Sequence, residues 1–318
     1  MTISAATLSA QLRRLKPVHL RLLAELGHTG ALGLAATRLG IAQPAASRLL
    51  AEMEDLLGLS LHERQGRGLR LTHVGVALAR RAARIEIELA DAARDLAEAA
   101  SGRAGVVRVG SVTGPALSLV MPTLIALQRS LPEFRAEVTV ATSVNLCDLL
   151  RDGRLDFALA RLSPGETQLE AKVIAGEPLS LVVRRGHPLL LRAEITVDDL
   201  LRYDWVMGDD ETLLTQTVIA RLTELGLPVP QRRISTSSFL FTLALLNQTD
   251  AIAPLATAVV DSFAGNPSVP FVSLPINFGL SVAPFSLVTR TGAQMTPSSQ
   301  RLIDGILSAV QPLPDQAF

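Results

Sequence analysis

ALGLAATRLGIAQPAASRLLAEMEDLLGLSLHERQGRGLRLTHVG, residues 31–75, decides how the amino-terminal third of this chain folds. A short helix is expected over residues 32–39, turning Leu32, Ala35, Ala36 and Leu39 inward. Gly40 follows where a chain leaving a helix needs a positive φ. Gln43–Pro44 opens the next helix, because proline in a first turn has no useful N–H to lose. Its inward stripe reads Ala45, Leu49, Met53 and Leu56, which leaves Gln43, Ser47 and Arg48 on the opposite face. Just upstream, Val18, Leu22 and Leu26, extended by Leu15, mark one face of a further helix that breaks over residues 27–30. Two short helices joined by a tight connection, with alanines where they cross, make a helix-turn-helix.

The start of the third helix carries the chemistry of base reading. Glutamine pairs bidentately with adenine, arginine with guanine, and serine reaches phosphate or base. Gln43, Pro44, Ser47 and Arg48 are therefore the candidate reading residues. Leu59 and Leu61 then start a strand, Gly66 and Gly68 make a turn, and the hairpin ends at Thr72. Arg64, Arg67 and Arg70 line it like a wing whose arginines reach into or across the minor groove. A helical unit that never touches DNA would also show small crossing residues and solvated arginines, so periodicity alone leaves both readings open.

Net charge over the 318 residues is zero, which by itself does not point to nucleic acid. Residues 1–71 nevertheless hold nine Lys/Arg against five Asp/Glu. The basic end is hidden in a neutral total. With 48% hydrophobic residues the chain can build full cores. The single cysteine, Cys147, excludes an internal disulfide and a multi-cysteine metal site, and its apolar helical setting suits buried filler. The five histidines show no ligand spacing, so no metal is expected, and no cofactor fingerprint or nucleophile motif appears. The opening MTISAATLSAQLRRLK has no signal-peptide layout and no run is long and apolar enough to span a bilayer, so a cytoplasmic protein without a membrane partner is expected.

From Thr72 a helical pattern runs to about residue 100. Leu78, Ala82, Ile85, Leu89, Ala92, Leu96 and Ala99 repeat with alternating spacings of four and three, a heptad seam. Such a seam pairs two copies, or packs on its own chain. After a small-residue linker, AASGRAG (99–105), β-branched runs alternate with helical ones from Val106 onward, the signature of an α/β domain with a largely parallel sheet. Later segments read as strands near residues 169–174 and, separately, in PLSLVVRRGHPL (178–189), a strand at Trp205, a helix over 211–225, a strand over 233–235, a helix over 237–246, a buried strand with a turn in DAIAPL (250–255), a late strand over 280–290 and a closing helix over 296–310.

The quoted stretch resembles the amino-terminal motif of LysR-type regulators: Ala-Ala in the second helix, Gln-Pro-Ala-x-Ser, Leu49, Leu-x-x-Arg in the wing and Leu-Thr-x-x-Gly. Gly-Arg-Leu-Asp, Gly-His-Pro-Leu and Asp-Ala-Ile-Ala-Pro resemble the effector domain of the same family, so the likeness covers residues 16–310. VGSVTGPAL and ALARL look closest to the galactose-binding-protein regulator subgroup. Two departures stand out, Ala42 and Ala31 where the family usually has serine; a lost N-cap serine is worth ~0.5–2 kcal/mol.

The resemblance implies an α plus α/β architecture. A winged helix-turn-helix spans 1–72, a linker helix that pairs two subunits spans 73–101, and a two-lobed effector domain built like a periplasmic binding protein spans 105–318. One lobe is 105–176 with 279–318, the other 177–278. In such a fold the ligand lies between lobes, where strand ends and helix starts supply hydroxyls and N–H groups that suit anions. Thr113, Ser143, Thr236 and Ser238 are the candidate effector contacts, with ordinary N-capping as the alternative. Arg161 suits an effector carboxylate, or a structural ion pair. Trp205 suits the core better than a lid. The implied partners are a roughly palindromic double-stranded promoter site, a small-molecule effector, a second copy or a tetramer, and RNA polymerase. A solute-binding transport protein, an architectural DNA protein without ligand control and an enzyme fit less of the chain.

Overall fold

The computed structural model describes residues 4–65, 68–101, 105–263, 266, 268–276 and 279–310. The chain divides into two compact units, Met1–Arg103 and Ala104–Phe318. In the first, α1 (Ala5–Leu12) is followed by α2 (Pro17–Thr29), α3 (Leu32–Arg38), α4 (Gln43–Leu57), the hairpin strands β1 (His62–Gln65) and β2 (Gly68–Leu71), and the long α5 (His73–Ser101). Before residue 16, α1 forms with Ser4 accepting the Thr7 N–H as its cap.

Two expectations for this unit shift. The helix expected to break at Gly27 continues to Thr29 and ends at Gly30, whose φ is +66°. Gly27 stays helical because α2 lies so close to α5 that a Cβ there would come within 2.8 Å of the Ala79 Cβ. Tertiary packing thus outweighs the ~1 kcal/mol helix cost of glycine. The inward stripe of α4 is Ala46, Leu50, Met53 and Leu57; Met53 stands as expected, and the other three lie one residue later than Ala45, Leu49 and Leu56. Both stripes satisfy the 3.6-residue period, and contact with the α2 leucines chooses between them. Leu22, Leu23, Leu26, Leu50 and Met53 are fully buried in this core, each contributing about 1.5–3 kcal/mol of transfer free energy.

The second unit runs β3 (Val106–Ser111), α6 (Thr113–Pro115), a π turn (Ala116–Val120), α7 (Met121–Ser130), β4 (Arg135–Val140), α8 (Ser143–Arg151), β5 (Phe157–Ala160) and β6 (Leu169–Arg184). It continues with a 3-10 turn (Pro188–Leu191), α9 (Val197–Leu201), β7 (Trp205–Met207), α10 (Leu213–Glu224), β8 (Arg233–Ser235), α11 (Phe239–Gln248), β9 (Ala253–Ala256), α12 (Thr257–Asp261), β10 (Phe271–Ser273), β11 (Ser281–Arg290) and α13 (Pro297–Ala309). Where two strands were expected, β6 is one strand of 16 residues that runs through Gly176 and Pro178. Its first half pairs with β11, and its second half with β9 on one edge and β10 on the other. Pro178 is tolerated because its missing N–H falls at the junction between those two sets of partners.

On the β11-paired side of this junction, two sets of core side chains cover the two faces of the sheet. Val107, Val109, Phe157 and Leu159 pack with Leu302, Ile303 and Ile306 of α13, while Ala158 and Ala160 face Leu146, Cys147 and Leu150 of α8. That alternation is the period-two pattern of a sheet covered on both faces. Beyond the junction, Leu181, Val183, Trp205, Val206, Val218 and Ile252 form a separate core. Two lobes therefore hang on the paired crossing strands β6 and β11. Trp205 is 1% exposed and donates its indole N–H to the Leu200 carbonyl at 3.2 Å, a core role.

Candidate DNA interface and effector cleft

Gly40, at φ +67°, redirects the chain between α3 and α4, and Pro44 sits in the first turn of α4. Gln43, Pro44, Ser47 and Arg48 are all exposed, opposite the buried stripe. Gln43 extends over α3, where its Oε1 lies 3.6 Å from the position of a Cβ on Gly33. The helices start without side-chain caps: Ala31 is the N-cap of α3 and Ala42 the N-cap of α4, and neither supplies an acceptor. Both departures from the family's serine therefore fall on capping positions.

In the hairpin His62 lies opposite Leu71, Glu63 opposite Arg70 and Arg64 opposite Leu69. Directly opposed residues share a face, so Arg64 lies on the face of Leu69 and Leu71, which pack on the core, and Arg70 lies on the outer face beside Glu63. Arg67 lies outside the described residues. Among the described residues, the side chains of Gln43, Ser47, Arg48, Arg64 and Arg70 make no hydrogen bond or ion pair, so their donors are available to a partner.

One residue central to this geometry escaped the sequence reading. Glu54 Oε1 accepts the Leu61 N–H at 2.6 Å, the His62 N–H at 3.1 Å and contacts His62 Nδ1 at 2.9 Å. It ties the base of the hairpin to the reading helix. No local pattern marks it, because its partners lie seven and eight residues away across a loop. The Leu-Thr-x-x-Gly motif has a similar role: Thr72 Oγ1 accepts the Gly75 N–H at 3.0 Å and donates to the Ser60 carbonyl at 2.9 Å. Any Cβ on Gly75 would collide with the Leu61 carbonyl.

The seam on α5 is only partly free. Ala82 is buried and Leu78 half-buried in the unit's own core, against α2. The expectation of one continuous intersubunit seam is corrected there, because α2 already covers its first turns. Ile85 is 42%, Leu89 54% and Leu96 71% exposed, with Ala92 exposed between them.

In the second unit β4 and β5 lie on either side of β3, all parallel. The chain passes from β3 to β4 on one side and then to β5 on the other, so the carboxyl ends of β3 and β5 flank a topological switch point, where open α/β sheets bind ligands. Thr113 follows β3 there. It is half-buried, and among the described residues its hydroxyl has no hydrogen-bond partner. Arg161 follows β5; its Nε donates to the Ala283 carbonyl at 2.6 Å and its guanidinium is paired with Glu177. The ion-pair alternative is the one present. Ser143 accepts the Arg161 N–H at 3.1 Å, while the capping role before α8 falls to Thr142, which accepts from Asn145 N. In the other lobe Thr236 follows β8 and accepts the Ser238 N–H at 3.1 Å, and Ser238 caps α11 by accepting the Phe241 N–H at 3.2 Å. Both oxygens have local partners, Ser238 as the helix cap and Thr236 in the turn before it.

The family motifs in this unit turn out to be struts. Asp156 of Gly-Arg-Leu-Asp is buried, accepting the Arg108 N–H at 2.9 Å and pairing with its guanidinium at 2.9 Å. His187 of Gly-His-Pro-Leu is fully buried; Nδ1 accepts the Leu189 N–H and Nε2 meets the Asp250 carbonyl at 3.0 Å. Burial pushes the His187 pKa down, keeping the ring neutral. Burial likewise raises the Cys147 thiol, which suits its place in the core under β5. No helix among the described residues is long and apolar enough to cross a membrane.

Comparisons with known proteins agree with this architecture. Residues 17–76 match the bacterial regulatory helix-turn-helix protein family, lysR type, and residues 100–311 match the LysR substrate binding domain. The HTH-type transcriptional regulator GbpR of Rhizobium radiobacter is 39% identical over 253 residues, covering 78% of this chain and 83% of that protein. GbpR of Azospirillum brasilense is 32% identical over 93% of this chain and 87% of its own length. Among solved structures, full-length OxyR C199D from Pseudomonas aeruginosa aligns with a TM-score of 0.63 at 22% identity, covering 96% of this chain and 99% of that one. Full-length CbnR in complex with its target DNA aligns at 0.59 and 22% identity over 93% of this chain and 100% of that one. These structures share the fold. The chain belongs to the LysR family of transcriptional regulators, proteins that join a DNA-binding helix-turn-helix to an effector-binding domain and are not enzymes.

Proposed function

We propose that this regulator works in the cytoplasm as a homodimer or a dimer of dimers, reading a roughly palindromic promoter site with two copies of α4. The observation that carries this reading is the pairing of two unengaged surfaces in one unit. Gln43, Ser47 and Arg48 stand free on α4, and Ile85, Leu89, Ala92 and Leu96 stand free along α5. Spacings of four, three and four keep those four residues in line over three turns. A two-fold pairing through them presents two reading helices to two half-sites. Gln43, Pro44, Ser47 and Arg48 then approach base edges and the adjoining phosphates. Arg70, on the outer hairpin face, and Arg64 supply backbone or minor-groove contacts, as does Arg67 in this reading.

The effector enters between the lobes of the second unit, touching Thr113 and Arg161 from one lobe and Thr236 and Ser238 from the other, with Ser143 holding the Arg161 backbone. The anionic effector expected from the sequence loses its main support at Arg161, whose charge is already matched. Effector binding regulates only if it favours one DNA-bound arrangement over another, and RNA polymerase is the further partner such a change would address. Sedimentation and footprinting test the assembly together. Wild type should sediment as a dimer or larger and protect half-sites separated by a multiple of about 10.5 bp. Leu89→Glu should sediment as a monomer and lose the paired protection. A Leu89→Glu protein that stays dimeric removes the seam from the account.

A further inference from the structure

We propose that Glu177 is the resident anion of the effector cleft: it holds the place at Arg161 that an effector's carboxylate would take, so this subsite accepts an uncharged hydrogen-bonding group. The proposal rests on the reading of the cleft as the effector site. Glu177 lies on β6 at the junction of the lobes, and its pair with Arg161 leaves the two side chains 12% (Arg161) and 10% (Glu177) exposed. Three further pieces of chain close on this pair. Arg161 Nε is held by the Ala283 carbonyl of the second crossing strand. The other carboxylate oxygen of Glu177 rests on Gly114, at the start of the helix after β3, so closely that any Cβ there would collide with it. Ala256, from the opposite lobe, lies 3.1 Å from that same Cβ position. Gly114 is thus the residue that makes room for the carboxylate.

The charge arithmetic follows from burial. A guanidinium and a carboxylate in contact form a neutral unit, and each is costly to leave alone once water is excluded. A ligand carboxylate arriving at Arg161 would sit beside Glu177, whose charge already matches the guanidinium, and two adjacent carboxylates resist joint ionisation. An uncharged ligand group meets no such obstacle. A ligand hydroxyl donates to Glu177 and accepts from Arg161, whose Nη1 makes no hydrogen bond among the described residues, or from the unengaged Thr113 hydroxyl. Donor and acceptor thus stand side by side at the switch point.

The test is chemical rescue in the full-length protein. Glu177→Ala opens a slot of carboxylate size next to an unmatched Arg161, and acetate should fill it. The melting temperature of Glu177→Ala should rise by about 4 °C between zero and 100 mM acetate at constant ionic strength. Acetamide should do nothing, and wild type should respond to neither. If Glu177→Ala folds only with acetate present, refolding yield gives the same readout. Glu177→Gln keeps the side-chain volume, so it should be insensitive to acetate. Equal responses in all three proteins, or none in Glu177→Ala, would overturn the proposal. So would a wild-type protein that binds acetate, succinate or benzoate at low millimolar concentration and loses that binding in Arg161→Gln. Specific acetate rescue, with DNA affinity that shifts less than twofold whatever fills the slot, would uphold the resident anion while contradicting the effector-cleft reading beneath it.

Discussion

Removing the Glu54 carboxylate should loosen the wing from the reading helix. Glu54 Oε1 alone receives the Leu61 N–H, the His62 N–H and the His62 ring. Leu61 is fully buried, and the Glu54 side chain is 20% exposed. In Glu54→Ala the Leu61 amide has no water to replace its acceptor, a cost of about 1–3 kcal/mol, while the His62 groups are partly solvated and add less. The sum is about 2–4 kcal/mol of the first unit's stability. Glu54→Gln keeps an acceptor in place and should lose about 1 kcal/mol. Far-UV dichroism on urea titration reports the helices of both units, so the loss in the first unit shows as a dichroism shift not shared by the fluorescence of Trp205, the chain's one tryptophan, which reports the second unit. Hydrogen exchange at the Leu61 amide should accelerate, and DNA affinity should fall as the hairpin shifts. A Glu54→Ala protein within about 0.5 kcal/mol of wild type, with the Leu61 amide still protected, would refute the clamp.

Ala42→Ser and Ala31→Ser restore an acceptor at caps that lack one, and each should raise first-unit stability by ~0.5–2 kcal/mol on the same titration; no gain would mean the orphan N–H groups are already solvated. Gln43→Ala should flatten sequence preference more than it lowers affinity for random duplex, and an equal loss on every sequence would remove Gln43 from base reading. Arg70→Ala should weaken all duplexes alike and reduce the salt slope by about 1; an unchanged slope would take Arg70 off the phosphate backbone.

How much of this was legible in the sequence depends on how local the cause is. Gly40, Pro44 and the exposed Gln43–Arg48 face follow from turn chemistry and helical period within a few residues, and they stand where those rules place them. Three positions of the α4 stripe slipped by one residue because two adjacent stripes both carry leucines, and only contact with α2 separates them. The start of the α5 seam was read as an interface because Leu78 and Ala82 keep the same heptad rhythm as Ile85 and Leu89. Periodicity states that a face is covered, and not by what. Pro178 made one crossing strand read as two, since its neighbours on β11 and β9 come from about eighty to a hundred residues away. Glu54 and Glu177 went unread for the same reason. Each acquires its role from a partner that the fold brings close and the local sequence does not show.

The central claim is that this chain selects particular DNA sites through paired copies of α4. Its most direct test is capture of genomic fragments by the purified full-length protein at near-physiological salt, with Gln43→Ala run in parallel. The account predicts a small set of enriched sites with two-fold character near promoters, lost or blurred for Gln43→Ala. Uniform, salt-labile capture without an enriched site, the same for both proteins, would contradict it.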